Sequence, residues 1–199
     1  MQLSFDNQLM NLLALETKRL ILVGISTEDM AYIFTHFSKE QIMALLGHRS
    51  EIDYRKEEQK HQNGYASYNR RFVTFLLKDK ESGQIIGRCG IHNWNKDHHR
   101  AEIGYVMEDE KYKRKALMSE AVEAVIEYGF KELNLNRIEA LVGLENVPSL
   151  KILKKNGFKE EGRLRQHVRS ADEFSDSLIL SILANEYDVK PHVYTQFIS

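Results

Sequence analysis

One cysteine, Cys89, stands in 199 residues, so no disulfide can form within a chain. That usage suits a reducing compartment, and we expect the cytoplasm. There are only two prolines, Pro148 and Pro191, and no stretch rich in Pro, Gly and Ser. Nothing therefore marks a linker, and residues 1–199 read as one domain with a short extension over 1–14. No window approaches 18 uninterrupted apolar residues, which leaves no candidate transmembrane helix. The opening MQLSFDNQLMNLLALE lacks a basic segment before an apolar core and does not read as a secretory leader. Charge of one sign is also missing. Lys and Arg number 28 against 29 Asp and Glu, which gives no reason to expect nucleic acid or a membrane surface as partner. There is no GxxxxGK, so a P-loop is excluded.

What remains is an ordinary globular composition, 42% hydrophobic and 29% charged, in a chain long enough to bury roughly 70% of its unfolded surface. Arg19 to Val23 is β-branched and apolar, a first strand. Ser26 with Asp29 three residues on predicts a helix from Thr27 to Phe37. A second helical stretch runs from Lys39 to about Asn63. Phe72 to Leu77 reads as a strand, turned by KDKESG into Gln84 to Ile91. Asn93 to Arg100 is a polar turn, and Ala101 to Met107 another strand. Met118, Ala121, Val122, Val125 and Tyr128 keep helical spacing, with Glu120, Glu123 and Glu127 toward water. Arg137 to Val142 alternates as a strand. Asn146 caps a short helix that carries Pro148 in its first turn and ends at Gly157. Two strands follow, near Phe158–Leu164 and Leu178–Leu183. The order predicts an α/β protein: one mixed sheet of about seven strands with helices on both faces.

Several blocks carry a resemblance. Leu15 to Leu22 (LETKRLIL) resembles the "LETERLILR" opening of the RimJ/RimL branch of GNAT N-acetyltransferases. Ala101 to Tyr105 matches that branch's "AEIGY", and Tyr112 to Ala121 (YKRKALMSEA) is similar to its "YWGKGYMTEA". Asn136 to Ala140 and Asn146 to Ser149 resemble the following strand and its "NxxS" helix start. Asn156–Gly157–Phe158 with Glu161–Gly162 resembles "LGFxxEG". These blocks keep order and spacing from residue 15 to about 183.

The resemblance implies the GNAT acyl-CoA N-acyltransferase fold, with acetyl-CoA as donor and no metal. Backbone groups of Val106 and Met107 would pair with the pantetheine arm as an added strand does. The loop and first turn of Lys113, Arg114, Lys115, Ala116, Leu117, Met118 and Ser119 would hold the pyrophosphate through unpaired N–H groups. Asn146 would meet the pantetheine arm while capping its helix. The chain departs from the family at Arg114 and Ala116, which replace the two loop glycines. Alanine is acceptable there in a right-handed loop, and Lys111, Lys113, Arg114 and Lys115 supply positive charge in compensation. The rival reading of KYKRK is a solvated basic turn.

Attack on a thioester requires a neutral amine. An α-amine titrates near ~7.7–8.0 and a lysine near ~10.4, a difference of about 3.5 kcal/mol. Glu102 is the first candidate base, against the alternative of a carboxylate paired across the sheet, and His92 is the second. Many members of the family protonate the leaving sulfur with a tyrosine seven residues after the capping Asn; here that position is Leu153, and Ser149 is the polar candidate left. His98 and His99, adjacent in a polar turn, read as solvated. The expected acceptor is the N-terminal α-amine of a ribosomal or other protein. Its alternatives are a small amine (polyamine, amino acid or aminoglycoside), or a GNAT-fold binding protein with weak CoA affinity. A homodimer is compatible with all of these.

Overall fold

The computed structural model describes residues 12–64, 71–188 and 193–198. Nine strands are β1 (Leu13–Glu16), β2 (Leu20–Ser26), β3 (Arg71–Asp79), β4 (Ile85–Asn95), β5 (Arg100–Met107), β6 (Arg137–Gly143), β7 (Lys159–Ser170), β8 (Glu173–Leu183) and β9 (Thr195–Ile198). They form one sheet in the order β7-β8-β6-β5-β4-β3-β2-β1-β9. The described residues also form five α-helices: α1 (Thr27–His36), α2 (Lys39–Leu46), α3 (Glu51–Gln62), α4 (Leu117–Lys131) and α5 (Val147–Lys155).

The mixed sheet matches the expectation, with β1 and β9 added at one edge. Part of the presumed extension is thus a strand: Leu13 to Glu16 pairs with both β2 and β9, and Leu15 is fully buried. The remainder of that extension, 1–11, lies outside the described residues. At α1 the Ser26 hydroxyl accepts the Asp29 N–H at 3.1 Å while the Asp29 carboxylate accepts the Ser26 N–H at 2.8 Å. The long helix expected over 39–63 is two. Gly47, in the left-handed region at φ 68°, ends α2, and Ser50 starts α3 by accepting the Asp53 N–H.

Helix α4 covers one face of the sheet, packing Ala121, Val122 and Val125 into a core with Phe75, Ile91 and Ile103. Cys89 is fully buried in that core, and burial pushes its thiol well above the ordinary range. A second cluster, Ile25, Met30, Ile33, Ile42, Leu46 and Leu76, joins α1 and α2 to the opposite face. Two of the glutamates assigned to water on α4 are elsewhere. Glu127 is buried and ion-paired with Lys131, and Glu120 is half-buried and ion-paired with Arg19. Long cationic partners let these carboxylates leave solvent.

Among the described residues only β5 and β6 run parallel, and their ladder has three rungs: Arg100↔Arg137, Ala101↔Ile138 and Glu102↔Glu139. A charged clamp closes this end. Glu139 accepts from Arg100 at 3.1 Å and from Arg137 at 3.0 Å. Arg137 then forks onto Glu161 of β7 at 2.7 and 2.6 Å, and the Ser181 hydroxyl of β8 donates to the same carboxylate. These bonds, the Arg137 fork first and Ser181 second, hold the Glu161 pKa down to about 2.

Between about pH 4.5 and 2 the unfolded chain therefore binds more protons at this position than the folded one, and stability falls as pH falls. The Glu161→Gln variant lacks this dependence. Its deficit in stability is expected to be largest near neutral pH, at most about 1 kcal/mol once solvent screening is allowed for, and to shrink toward pH 2. Thermal melts of both proteins across that range measure the gap.

Candidate active site

Beyond the third rung β5 and β6 diverge. Ile103 to Met107 stay bonded to β4 on their other side, and Ala140 to Gly143 to β8, so the edges facing each other have no strand partner. Val106 is 52% exposed although its strand lies mid-sheet. Such a gap offers backbone donors and acceptors to an extended, amide-bearing chain. Val106 and Met107, named from sequence, both lie on this stretch of β5.

The loop ahead of α4 departs from expectation. Ala116 occupies the N-cap at φ 59° and Arg114 sits at φ 61°, both left-handed rather than right-handed. A non-glycine residue there costs roughly 1 kcal/mol or more. No side chain caps α4, so the N–H groups of its first turn, from Leu117, Met118 and Ser119, have no side-chain acceptor. Arg19 braces the loop. Its guanidinium donates to the Lys115 carbonyl at 2.9 Å and to Glu120 at 2.7 Å, while its own N–H and the Thr17 hydroxyl also donate to Glu120. Burial opposes ionisation of Glu120, but those hydrogen bonds outweigh it and lower its pKa.

The charge around the loop is smaller than the sequence suggested. Lys111 pairs with Asp109, Lys113 pairs with Glu110, and Lys115 lies over the Tyr112 ring at 5.5 Å. A cation missed in the sequence comes from α5: Lys155 donates to the Ser119 hydroxyl at 3.3 Å. An ammonium beside a helix N-terminus is unfavourable alone and becomes favourable once an anion sits between them. The site therefore fits a phosphate-bearing ligand.

On the face covered by α1 to α3, His92 and Glu102 come together. They are opposite each other in the β4–β5 ladder, with the imidazole Nδ1 3.7 Å from the carboxylate. A bulge after His92, with Asn93 at φ 49°, turns the Asn93 amide onto the same carboxylate at 2.9 Å. The other ring nitrogen, Nε2, lies over Gly104, and a Cβ at that position would stand 2.7 Å from it. His92 also lines a cavity of about 500 Å³ whose apolar wall includes Ile25, Met30, Phe72 and Leu76.

Ser149 is not part of this group. Asn146 Oδ1 caps α5 by accepting the Ser149 N–H at 3.2 Å, and the Ser149 carbonyl accepts the Tyr105 hydroxyl at 3.4 Å. Leu153 is fully buried in the α4-side core. His98 is exposed and His99 bonds the Asn134 carbonyl; no group of acids, histidines and cysteine suited to a metal occurs among the described residues.

Residues 19–159, which span the strand gap, the uncapped helix start and the His92–Glu102 pair, match the model of the acetyltransferase (GNAT) domain. The chain belongs to the GNAT family. Acetyl-CoA is accordingly its acetyl donor. The chain is 34% identical over 170 residues to the uncharacterized N-acetyltransferase YoaA of Bacillus subtilis (strain 168), covering 85% of this chain and 96% of that one. It is 29% identical over 118 residues to the spermidine N(1)-acetyltransferase of Escherichia coli (strain K12), covering 59% and 60% of the two. The solved GNAT acetyltransferase of Bacillus anthracis superposes with a TM-score of 0.62 at 26% identity, over 87% of this chain and 99% of that one.

Two variants read the site. Ala116→Gly removes the left-handed penalty and is expected to raise stability by roughly 0.5–1 kcal/mol, with acetyl-CoA affinity equal or tighter. Gly104→Ala crowds His92 Nε2. Turnover is expected to fall at least tenfold while calorimetric acetyl-CoA binding changes by less than about threefold.

Proposed function

We propose that this GNAT enzyme acetylates the N-terminal α-amine of a polypeptide, with His92 as base and Glu102 as the group that orients it. The observation that carries the reading is the cavity beside His92 and the charge of its wall. Among the described lining residues the carboxylate is Glu57, which is ion-paired with Lys60 at 3.0 Å and stands 4.0 Å from Arg88. A polyamine carries several ammonium groups along its length and calls for several carboxylates. Here Lys60 pairs with Glu57 and Arg88 pairs with Glu108 at 3.0 Å, so the wall has no surplus of carboxylates to hold several ammonium groups. A peptide terminus brings one amine, neutral in roughly a tenth of molecules at pH 7, and an otherwise weakly charged body that suits apolar walls.

Glu102 takes the orienting role because its carboxylate faces Nδ1 and the Asn93 amide, while His92 reaches the cavity and β5. Acetyl-CoA supplies the activated acetyl group. His92 accepts the amine proton, and the α-amine's low basicity keeps that demand modest. Val106 and Met107 hold the arm through their backbone; the α4 start with Arg114, Ser119 and Lys155 holds the phosphates.

Purified protein with acetyl-CoA, offered a panel of N-terminal peptides, free lysine and spermidine, tests this. Mass spectrometry is expected to find acetyl on peptide α-amines, with spermidine at least tenfold slower. Faster acetylation of spermidine than of any peptide overturns the acceptor assignment. His92→Gln is expected to lower kcat about 10²-fold or more, and Glu102→Gln less, with acetyl-CoA affinity kept in both.

A further inference from the structure

On the opposite face of β5 from Glu102 and Gly104 stands a phenol that none of these roles uses. We infer that the Tyr105 hydroxyl donates a hydrogen bond to the leaving sulfur of the thioester. This rests on acetyl transfer taking place in the β5–β6 gap, as read above.

Three observations converge. Tyr105 lies three residues past the last rung of the β5–β6 ladder, in the middle of the stretch whose inner edge has no strand partner. Its hydroxyl reaches from β5 to the Ser149 carbonyl in the first turn of α5, the helix that follows β6, and so crosses the gap on the helix side. That bond, at 3.4 Å, is at the long end of the range and is readily exchanged for a better acceptor. Burial also pushes the phenol up to about 12, so it keeps its proton throughout the range in which an α-amine reacts. The other side chains considered for this task are badly placed. Leu153 has no polar atom and is fully buried, and His92 and Glu102 occupy the far face.

The chemistry balances without ionising Tyr105. The amine lone pair forms the C–N bond, the C–S bond breaks, and the sulfur keeps the electron pair as a thiolate held by the phenol O–H. The proton lost by the amine passes to His92 and on to solvent, and the thiolate takes one proton back as it departs. An alkyl thiol ionises near ~8.5, and a donated hydrogen bond favours its charged form. Tyr105 thus lowers the basicity of the leaving group at the moment it leaves.

The test uses Tyr105→Phe and wild type, both with bound CoA. Thiolate absorbance of CoA bound to wild type is expected to titrate below that of free CoA, and about one pH unit higher in Tyr105→Phe. With acetyl-CoA and a peptide acceptor, kcat is expected to fall about tenfold or more with acetyl-CoA affinity within about twofold. Bound CoA that titrates like free CoA in wild type overturns the inference. So does a variant that loses affinity in proportion to rate, which would make Tyr105 a strut between β5 and α5. The wild-type titration needs no acceptor and no variant, so it can overturn the inference even where the acceptor assignment fails or Tyr105→Phe does not fold, and the shift in Tyr105→Phe assigns the effect to the phenol.

Discussion

Everything functional here depends on a ladder that stops. Three rungs join β5 to β6, and the Arg100–Glu139–Arg137–Glu161 chain of ion pairs fixes them at one end. Were the pairing to continue, the sheet would be sealed and Val106 buried. Were it shorter, the two halves of the sheet would be joined by little but their side chains. The clamp serves to concentrate adhesion at the base, so that the strands can part beyond it without the halves drifting. Each half keeps its own antiparallel neighbours, β4 on one side and β8 on the other, and is rigid up to the edge of the gap.

That geometry sorts the chemistry by face. The face under α1 to α3 holds His92, Glu102 and the cavity, while the face under α4 and α5 holds the uncapped helix start, Lys155 and Tyr105. In the proposed reaction, donor and acceptor come from opposite sides of one sheet and meet where it is split. The Thr17–Arg19–Glu120 network ties the first hairpin to the α4 loop, which explains physically why the opening block and the loop block occur together: one braces the strained backbone of the other.

Much of this was legible in the chain because its signals are local. Ser26 with Asp29, the KDKESG turn, the alternation of β6 and the Asn146–Pro148 helix start each state their structure within a few residues. Gly47 and Ser50 carry an equally local signal for the break between α2 and α3, yet the stretch from Lys39 to about Asn63 was read as one helix. The unread part is of two kinds. Contacts such as Arg19 with Glu120 or Lys155 with Ser119 join residues far apart in sequence, where no periodicity points. The positive φ of Arg114 and Ala116 was hidden for the opposite reason, since neither residue type advertises the left-handed region as glycine does. The pairing of His92 with Glu102 fell between: each was named singly, but their facing positions are a property of the β4–β5 ladder, and the bulge after His92 adds the Asn93 amide to the same carboxylate.

The lone cysteine has a practical consequence. With its thiol sealed in the core and held protonated, Cys89 is inert toward sulfhydryl reagents while the fold is intact. Acetyl transfer liberates a free thiol from the donor, so a colorimetric thiol reagent counts turnovers against a silent protein background. The same reagent without donor becomes a gauge of global opening, since one new equivalent per chain emerges only when the sheet and α4 come apart.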